Sequence, residues 1–166
     1  MRKVAFVDRD GTLIWEPERP DGIDPRETFP LKSADEVRFM EGTIEGLTIL
    51  VNEGYELVLV TNQTHLGTPR HPQEIFDAVM ERMTGGLEKE GAHFAFVMVC
   101  PHGPDDGCEC RKPKIGGLAP FLTPDIDLSS SLMFGDRDSD REFAQNLGVR
   151  FVPITCNERF VLPENR

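Results

Sequence analysis

The sequence is short of positive charge. Its 166 residues hold 18 lysines and arginines against 29 aspartates and glutamates, a formal net charge of −11. Binding a polyanion through counterion release needs the opposite balance, so neither nucleic acid nor an anionic membrane is an expected partner. Long apolar runs are missing too. Ahead of Asp8 stands only Val4-Ala5-Phe6-Val7, short of the roughly 7 to 15 apolar residues of a secretory signal and the roughly 20 of a membrane span. A cytoplasmic protein is the expectation. Cysteines are few, and three of the four, Cys100, Cys108 and Cys110, crowd beside His102 instead of spreading along the chain. That distribution excludes a disulfide framework and suggests a metal site.

What is present fits one soluble domain spanning residues 1–166, long enough to enclose a hydrophobic core. Val4–Val7 and Leu57–Val60 are continuous apolar runs followed at once by polar residues, the pattern of strands buried on both faces of a parallel sheet. Phe94–Val99 and Leu132–Phe134 repeat that pattern, and Val149–Val152, interrupted by Arg150, supplies a fifth strand. Between them, Ile44, Leu47, Leu50 and Val51 keep helical spacing, as do Ile75, Phe76, Val79, Met80, Met83 and Leu87 after Pro72. A third helix runs from about Ser139, with Phe143, Ala144 and Leu147 on one face, to Gly148. Residues 115–125 predict a short or broken helix, and the Glu16 to Arg38 stretch a loop or small flap. Alternating strands and helices imply an α/β fold around a parallel five-stranded sheet.

In such folds ligands bind beyond the carboxyl ends of the strands. Asp8-Arg9-Asp10-Gly11-Thr12 follows the first strand and Thr61-Asn62-Gln63 closes the second. The cysteine cluster and Arg111-Lys112-Pro113-Lys114 follow the third, and Gly135-Asp136-Arg137-Asp138-Ser139-Asp140 the fourth. Asp8 and Asp10, one residue apart, can lean toward a common site in extended backbone. Two close carboxylates repel, a divalent cation relieves the repulsion, and oxygen ligands suit Mg2+. Asp136 supplies a third ligand from another strand. Cys100-Pro101-His102 and Cys108-Glu109-Cys110 each present two ligands in extended backbone, a Cys3His set for one tetrahedral Zn2+. With all four positions protein-filled, that zinc is structural and shapes the loop at about residues 100–110.

These residues resemble the four motifs of the haloacid dehalogenase superfamily of phosphotransferases. They are Asp8-Arg9-Asp10-Gly11-Thr12, Thr61 at the end of the second strand, Lys112, and Gly135-Asp136 with Asp140. The resemblance implies that Asp8 is the nucleophile and forms an aspartyl-phosphate, while Asp10 handles the protons. It further implies Mg2+ held by Asp8, the Asp10 backbone carbonyl and Asp136, with Asp140 in support. Thr61, the Asn62 backbone and Lys112 would hold phosphoryl oxygens, and Arg111 adds positive charge.

The chain is similar, more narrowly, to capless histidinol-phosphate phosphatases, through Phe6–Ile14 with Glu16-Pro17, Leu66-Gly67-Thr68 and the short interval within the cysteine cluster. This implies hydrolysis of a small phosphorylated metabolite, L-histidinol phosphate, with Glu16 pairing the substrate ammonium. In some bacteria that domain is fused to a dehydratase; none lies within these 166 residues, so phosphatase activity alone is expected. Sugar-bisphosphate phosphatases of the heptose-bisphosphate type share the features and are the alternative. A zinc-dependent interaction module is the remote one, and it leaves Asp8, Thr61 and Asp136 at three strand ends unexplained. Trp15 either stacks on substrate or covers a core edge, and His65, beside the second motif, is a possible substrate contact. His71 reads as a surface residue at a helix entry, His93 has no visible partner, and Cys156 reads as an uninvolved thiol.

Overall fold

The computed structural model describes residues 1–164. Five strands, β1 (Lys3–Val7), β2 (Tyr55–Asn62), β3 (Phe94–Cys100), β4 (Leu132–Gly135) and β5 (Arg150–Pro153), form one parallel sheet in the order β3-β2-β1-β4-β5. The helices are α1 (Thr43–Asn52), α2 (Gln73–Glu88) and α3 (Asp138–Leu147). Alternation along β1 explains the layering. Ala5 and Val7 face one core with Leu47 and Leu50 of α1 and Val79 and Met83 of α2. Val4 and Phe6 face the other, with Phe143, Ala144 and Leu147 of α3. Both sides of the central strand are therefore apolar, as its unbroken hydrophobic run requires.

The chain leaves β1 to pair on one side with β2 and later on the other with β4, so the switch point lies between β1 and β4. Register then aligns the functional ends: Val7 pairs with Leu59 and with Phe134, and the Asp8 amide continues the ladder to the Phe134 carbonyl at 2.9 Å. Residues 115–125 contain only a single 3-10 turn, Gly116–Leu118, because Pro120 has no amide to extend it. β5 starts at Arg150, whose exposed side chain suits an edge strand. The 16–38 segment is a flap with one 3-10 turn, Ala34–Glu36, pinned by buried Leu31. Trp15 packs against the first core under the Arg38 guanidinium, so it covers a core edge.

Gly135 is where sheet and site press hardest. A Cβ there would lie 2.4 Å from Cβ of Asp140 and 2.5 Å from its Oδ2, below any contact distance that packed atoms adopt. We predict that Gly135→Ala lowers stability by about 1 to 3 kcal/mol through overpacking, measured as a shifted urea midpoint. An unchanged midpoint would contradict this packing.

Candidate active site

The ends of β1 and β4 and the first turn of α3 gather three carboxylates, two of them on one ammonium. Lys112, 4% exposed, donates from Nζ to Asp8 Oδ1 at 2.6 Å and to the Val60 carbonyl at 2.8 Å. It also lies 2.7 Å from Asp140 Oδ1, an ion pair without hydrogen-bond alignment. Asn62 clamps the lysine's own backbone in both directions: its Nδ2 donates to the Lys112 carbonyl at 3.2 Å and its Oδ1 accepts from the Lys112 amide at 3.0 Å. Thr12 donates to Asp136 Oδ1 at 3.2 Å, and the Arg137 amide donates to Asp140 Oδ2 at 3.1 Å.

One oxygen each of Asp8, Asp136 and Asp140 lies within 4.8 Å of the others. Burial, then the charge of Asp8, pushes Asp136 up to about 8. Burial raises Asp140 to about 6 against the pull of Lys112. Burial works to lower the Lys112 ammonium, but Asp140 and Asp8 carry it above its ordinary value. Lys112 and the Arg137 guanidinium, 4.0 Å from Asp136 and shared with Glu16, do not neutralise three desolvated carboxylates, and an all-oxygen donor set of this kind fits a hard divalent cation.

Asp10 corrects an expectation. Its carboxyl does not join Asp8 in this cluster. Its Oδ1 accepts from Arg9 Nη2 at 3.0 Å and its Oδ2 from Gln63 Nε2 at 2.7 Å. The strand ends at Val7, so i, i+2 alternation no longer governs the turn that follows. Gly11 makes that turn at φ +78°, and a Cβ on it would lie 2.7 Å from Asp136 Oδ2. Thr61 is fully buried, its hydroxyl accepting from Gln63 Nε2 at 2.7 Å.

The cysteine cluster assembles as expected. Sγ of Cys100 is 3.6 Å from that of Cys108 and 3.2 Å from that of Cys110, and His102 Nδ1 is 3.3 Å from Cys110 Sγ and 3.6 Å from Cys100 Sγ. Tetrahedral thiolate coordination with bonds of about 2.3 Å has edges near 3.7 Å, so the four atoms fit one metal. Arg111, expected to add charge at the phosphate, is turned elsewhere. It donates to Thr64 Oγ1 at 3.0 Å, the His102 carbonyl at 2.8 Å and the Arg26 carbonyl at 2.6 Å. These three oxygens satisfy the buried guanidinium, which ties flap, cysteine loop and second motif together.

A cleft of about 750 Å³ opens between the flap, the cysteine loop and the start of α3. Glu16 lines it, but its carboxylate is taken by Arg137 Nη2, so it is not free for an ammonium. His65 is held outside the cleft by Arg70 and Glu27. His71 is buried, not superficial: its Nδ1 meets the Thr64 carbonyl at 3.3 Å and its ring packs edge-on to Phe76. Cys156 sits at the cleft's edge, its Sγ 3.8 Å from Glu16 Oε2; desolvation, Asp136 and Glu16 push its thiol up to about 12. Sequence reasoning missed Gln63 and Arg137 as site components. Their presence inside the motifs was the available signal.

A family model described as polynucleotide kinase 3 phosphatase matches residues 3–160. The chain belongs to this phosphatase family. Relatives of this family member include the histidine biosynthesis bifunctional protein HisB of Legionella pneumophila, 38% identical over 156 residues covering 93% of this chain and 42% of that protein. HisB of Campylobacter jejuni is 39% identical over 150 residues, 90% of this chain and 40% of that one. The chain thus spans less than half the length of these curated relatives. Among solved structures, D,D-heptose 1,7-bisphosphate phosphatase from B. bronchiseptica, complexed with magnesium and phosphate, matches with TM-score 0.72 at 29% identity, over 90% of this chain and 78% of that one. A HAD-superfamily hydrolase from Geobacter sulfurreducens shares the fold alone, at TM-score 0.57 and 18% identity over 96% of this chain and 94% of that one. Fold and enzyme class are therefore those of the haloacid dehalogenase phosphatases, as the motifs implied. No helix among the described residues is long and apolar enough to cross a membrane.

Because Asp136 and Asp140 are raised in the folded state, the metal-free fold holds extra protons. Their contribution is full below the ordinary carboxylate range and drains away as pH climbs through about 6 and 8. We predict that Tm of magnesium-free protein falls over that interval and that saturating Mg2+, or Asp136→Asn, flattens the fall. The same slope in all three samples would contradict it.

Proposed function

We propose that residues 1–166 act as one phosphatase domain that hydrolyses L-histidinol phosphate to histidinol and inorganic phosphate. A carboxylate oxygen of Asp8 attacks phosphorus, the alkoxide leaves, and an aspartyl-phosphate forms; water then displaces the phosphoryl group and frees Asp8. Asp10 gives the leaving oxygen its proton and recovers one from the attacking water. Lys112, Thr61 and the Asn62 amide hold the remaining phosphoryl oxygens.

Mg2+ would be held by Asp8, the Asp10 backbone carbonyl and Asp136, with Asp140 behind them, and supplies the positive charge that lets a phosphate dianion approach. Cys100, His102, Cys108 and Cys110 hold Zn2+ in a structural role, two residues ahead of Lys112. The cytoplasm is the expected setting, and neither nucleic acid nor membrane is a partner.

One observation carries the choice of substrate: the cleft's cations are already engaged. Arg26 pairs with Asp24 and Asp105, Lys114 with Glu109, and Arg137 with Glu16, while Arg19 is turned to the carbonyls of Pro25 and Glu27. Asp138 and Glu142, one turn apart on α3 and lining the same cleft, make no ion pair among the described residues. That wall suits an ammonium and an imidazole better than a second phosphate. The second reading, a sugar-bisphosphate phosphatase, is supported by the heptose-bisphosphate neighbour.

The test is kcat/KM for histidinol phosphate, heptose 1,7-bisphosphate, hexose phosphates and a 3′-phosphorylated oligonucleotide. Histidinol phosphate should lead by at least about tenfold, a difference of roughly 1.4 kcal/mol in transition-state binding. Asp8→Asn should lose turnover of every ester by at least about a thousandfold. A sugar or nucleotide ester in the lead would overturn the substrate, and surviving Asp8→Asn activity the mechanism.

A further inference from the structure

Gln63 is fully buried and makes three side-chain hydrogen bonds, all to residues flanking the reaction centre. Its Nε2 donates to Asp10 Oδ2 and to Thr61 Oγ1, both at 2.7 Å, and its Oε1 accepts from Arg9 Nη2 at 2.9 Å. Chemistry fixes the amide's orientation. Reversed, it would set a carbonyl oxygen against a carboxylate and an NH2 against a guanidinium. Its own backbone is anchored by a 2.7 Å bond from the Gln63 amide to the Cys100 carbonyl. Arg9 is equally constrained, 1% exposed, with its guanidinium 5.3 Å from the centre of the Phe76 ring.

The consequences reach both ends of the amide. Thr61 Oγ1 accepts from Gln63, so its single hydroxyl hydrogen is left to donate elsewhere. Asp10 Oδ2 accepts from Gln63 Nε2 at 2.7 Å and from Arg9 Nε at 3.1 Å, and its Oδ1 accepts from Arg9 Nη2 at 3.0 Å and Nε at 3.2 Å, so Gln63 is the partner that ties this carboxyl to Thr61 at the end of β2. Without Gln63 the carboxyl keeps only Arg9, its neighbour in the chain, and loses its tie to β2, and proton donation in the transition state depends on a fixed donor geometry.

We infer that Gln63 is a positioning residue for proton delivery to the leaving alcohol, acting through Asp10 and braced on Thr61. The inference rests on the proton-donor role proposed for Asp10. It makes Gln63 matter where the leaving group needs a proton and matter little where it does not. An alkyl ester such as histidinol phosphate needs one, whereas p-nitrophenolate departs unprotonated.

The experiment compares these two esters with wild type, Gln63→Met, Asp10→Asn and the double variant, all loaded with magnesium. Gln63→Met should lower kcat for histidinol phosphate by about tenfold or more and for p-nitrophenyl phosphate by less than about threefold. In the Asp10→Asn background the same change should leave the ratio of the two rates where Asp10→Asn put it. Gln63→Leu, which offers Asp10 no polar atom at all, should give the same split and replaces the methionine variant should that fail to fold. Equal losses on both esters, or none, for the Gln63 variants while Asp10→Asn shows the split overturn the inference alone. Equal losses in Asp10→Asn itself overturn the Asp10 assignment and this inference with it.

Discussion

The whole site depends on holding three carboxylates and one ammonium in a place that water hardly reaches. At an effective dielectric near 20, two like charges about 4 Å apart repel by roughly 4 kcal/mol, so Asp8, Asp136 and Asp140 strain against one another even with Lys112 on two of them and Arg137 4.0 Å from the third. Folding imposes the conflict because the three acids come from the end of β1, the end of β4 and the first turn of α3, all fixed by the sheet. The same conflict makes the centre useful. A divalent cation would complete the charge balance, and a phosphoryl group could then be drawn in where it would otherwise be repelled.

Lys112 also links the two candidate metal centres. Its ammonium sits among the carboxylates, its backbone is gripped by Asn62 at the end of β2, and two residues earlier Cys110 belongs to the sulfur cluster. Between them Arg111 binds oxygens of the flap, the cysteine loop and Thr64. Loop order around the cluster is thereby converted into the position of one charged atom. The flap, with no regular structure beyond one short turn, is held by such guanidinium contacts together with Leu31 and Val37 in the first core.

Much of this was legible in the residues. Apolar runs such as Val4–Val7 can satisfy only a two-sided buried strand, and a carboxylate or threonine directly after each run must emerge at the same sheet edge. Asp8 and Asp136 meet for that reason, Asp140 joins them from the first turn of α3 and Lys112 from the loop beyond the cysteines, and the Cys3His set follows from two short-spaced pairs. What could not be read is what depends on side-chain rotation after the strand stops. Asp10 turns to Arg9 and Gln63, Glu16 is captured by an arginine 121 positions away, and Cys156 arrives beside Asp136 from beyond β5. His71 is buried by a loop contact to Thr64 that no periodicity encodes.

The central claim is that Asp8 carries the phosphoryl group. Its most direct measurement is acid quenching of the magnesium-loaded protein during turnover of histidinol phosphate labelled at phosphorus, followed by peptide mapping. The account predicts an acid-stable, hydroxylamine-sensitive label on the peptide containing Asp8, lost in Asp8→Asn. Steady turnover with no protein-bound phosphoryl group, or with the label on another residue, would contradict it.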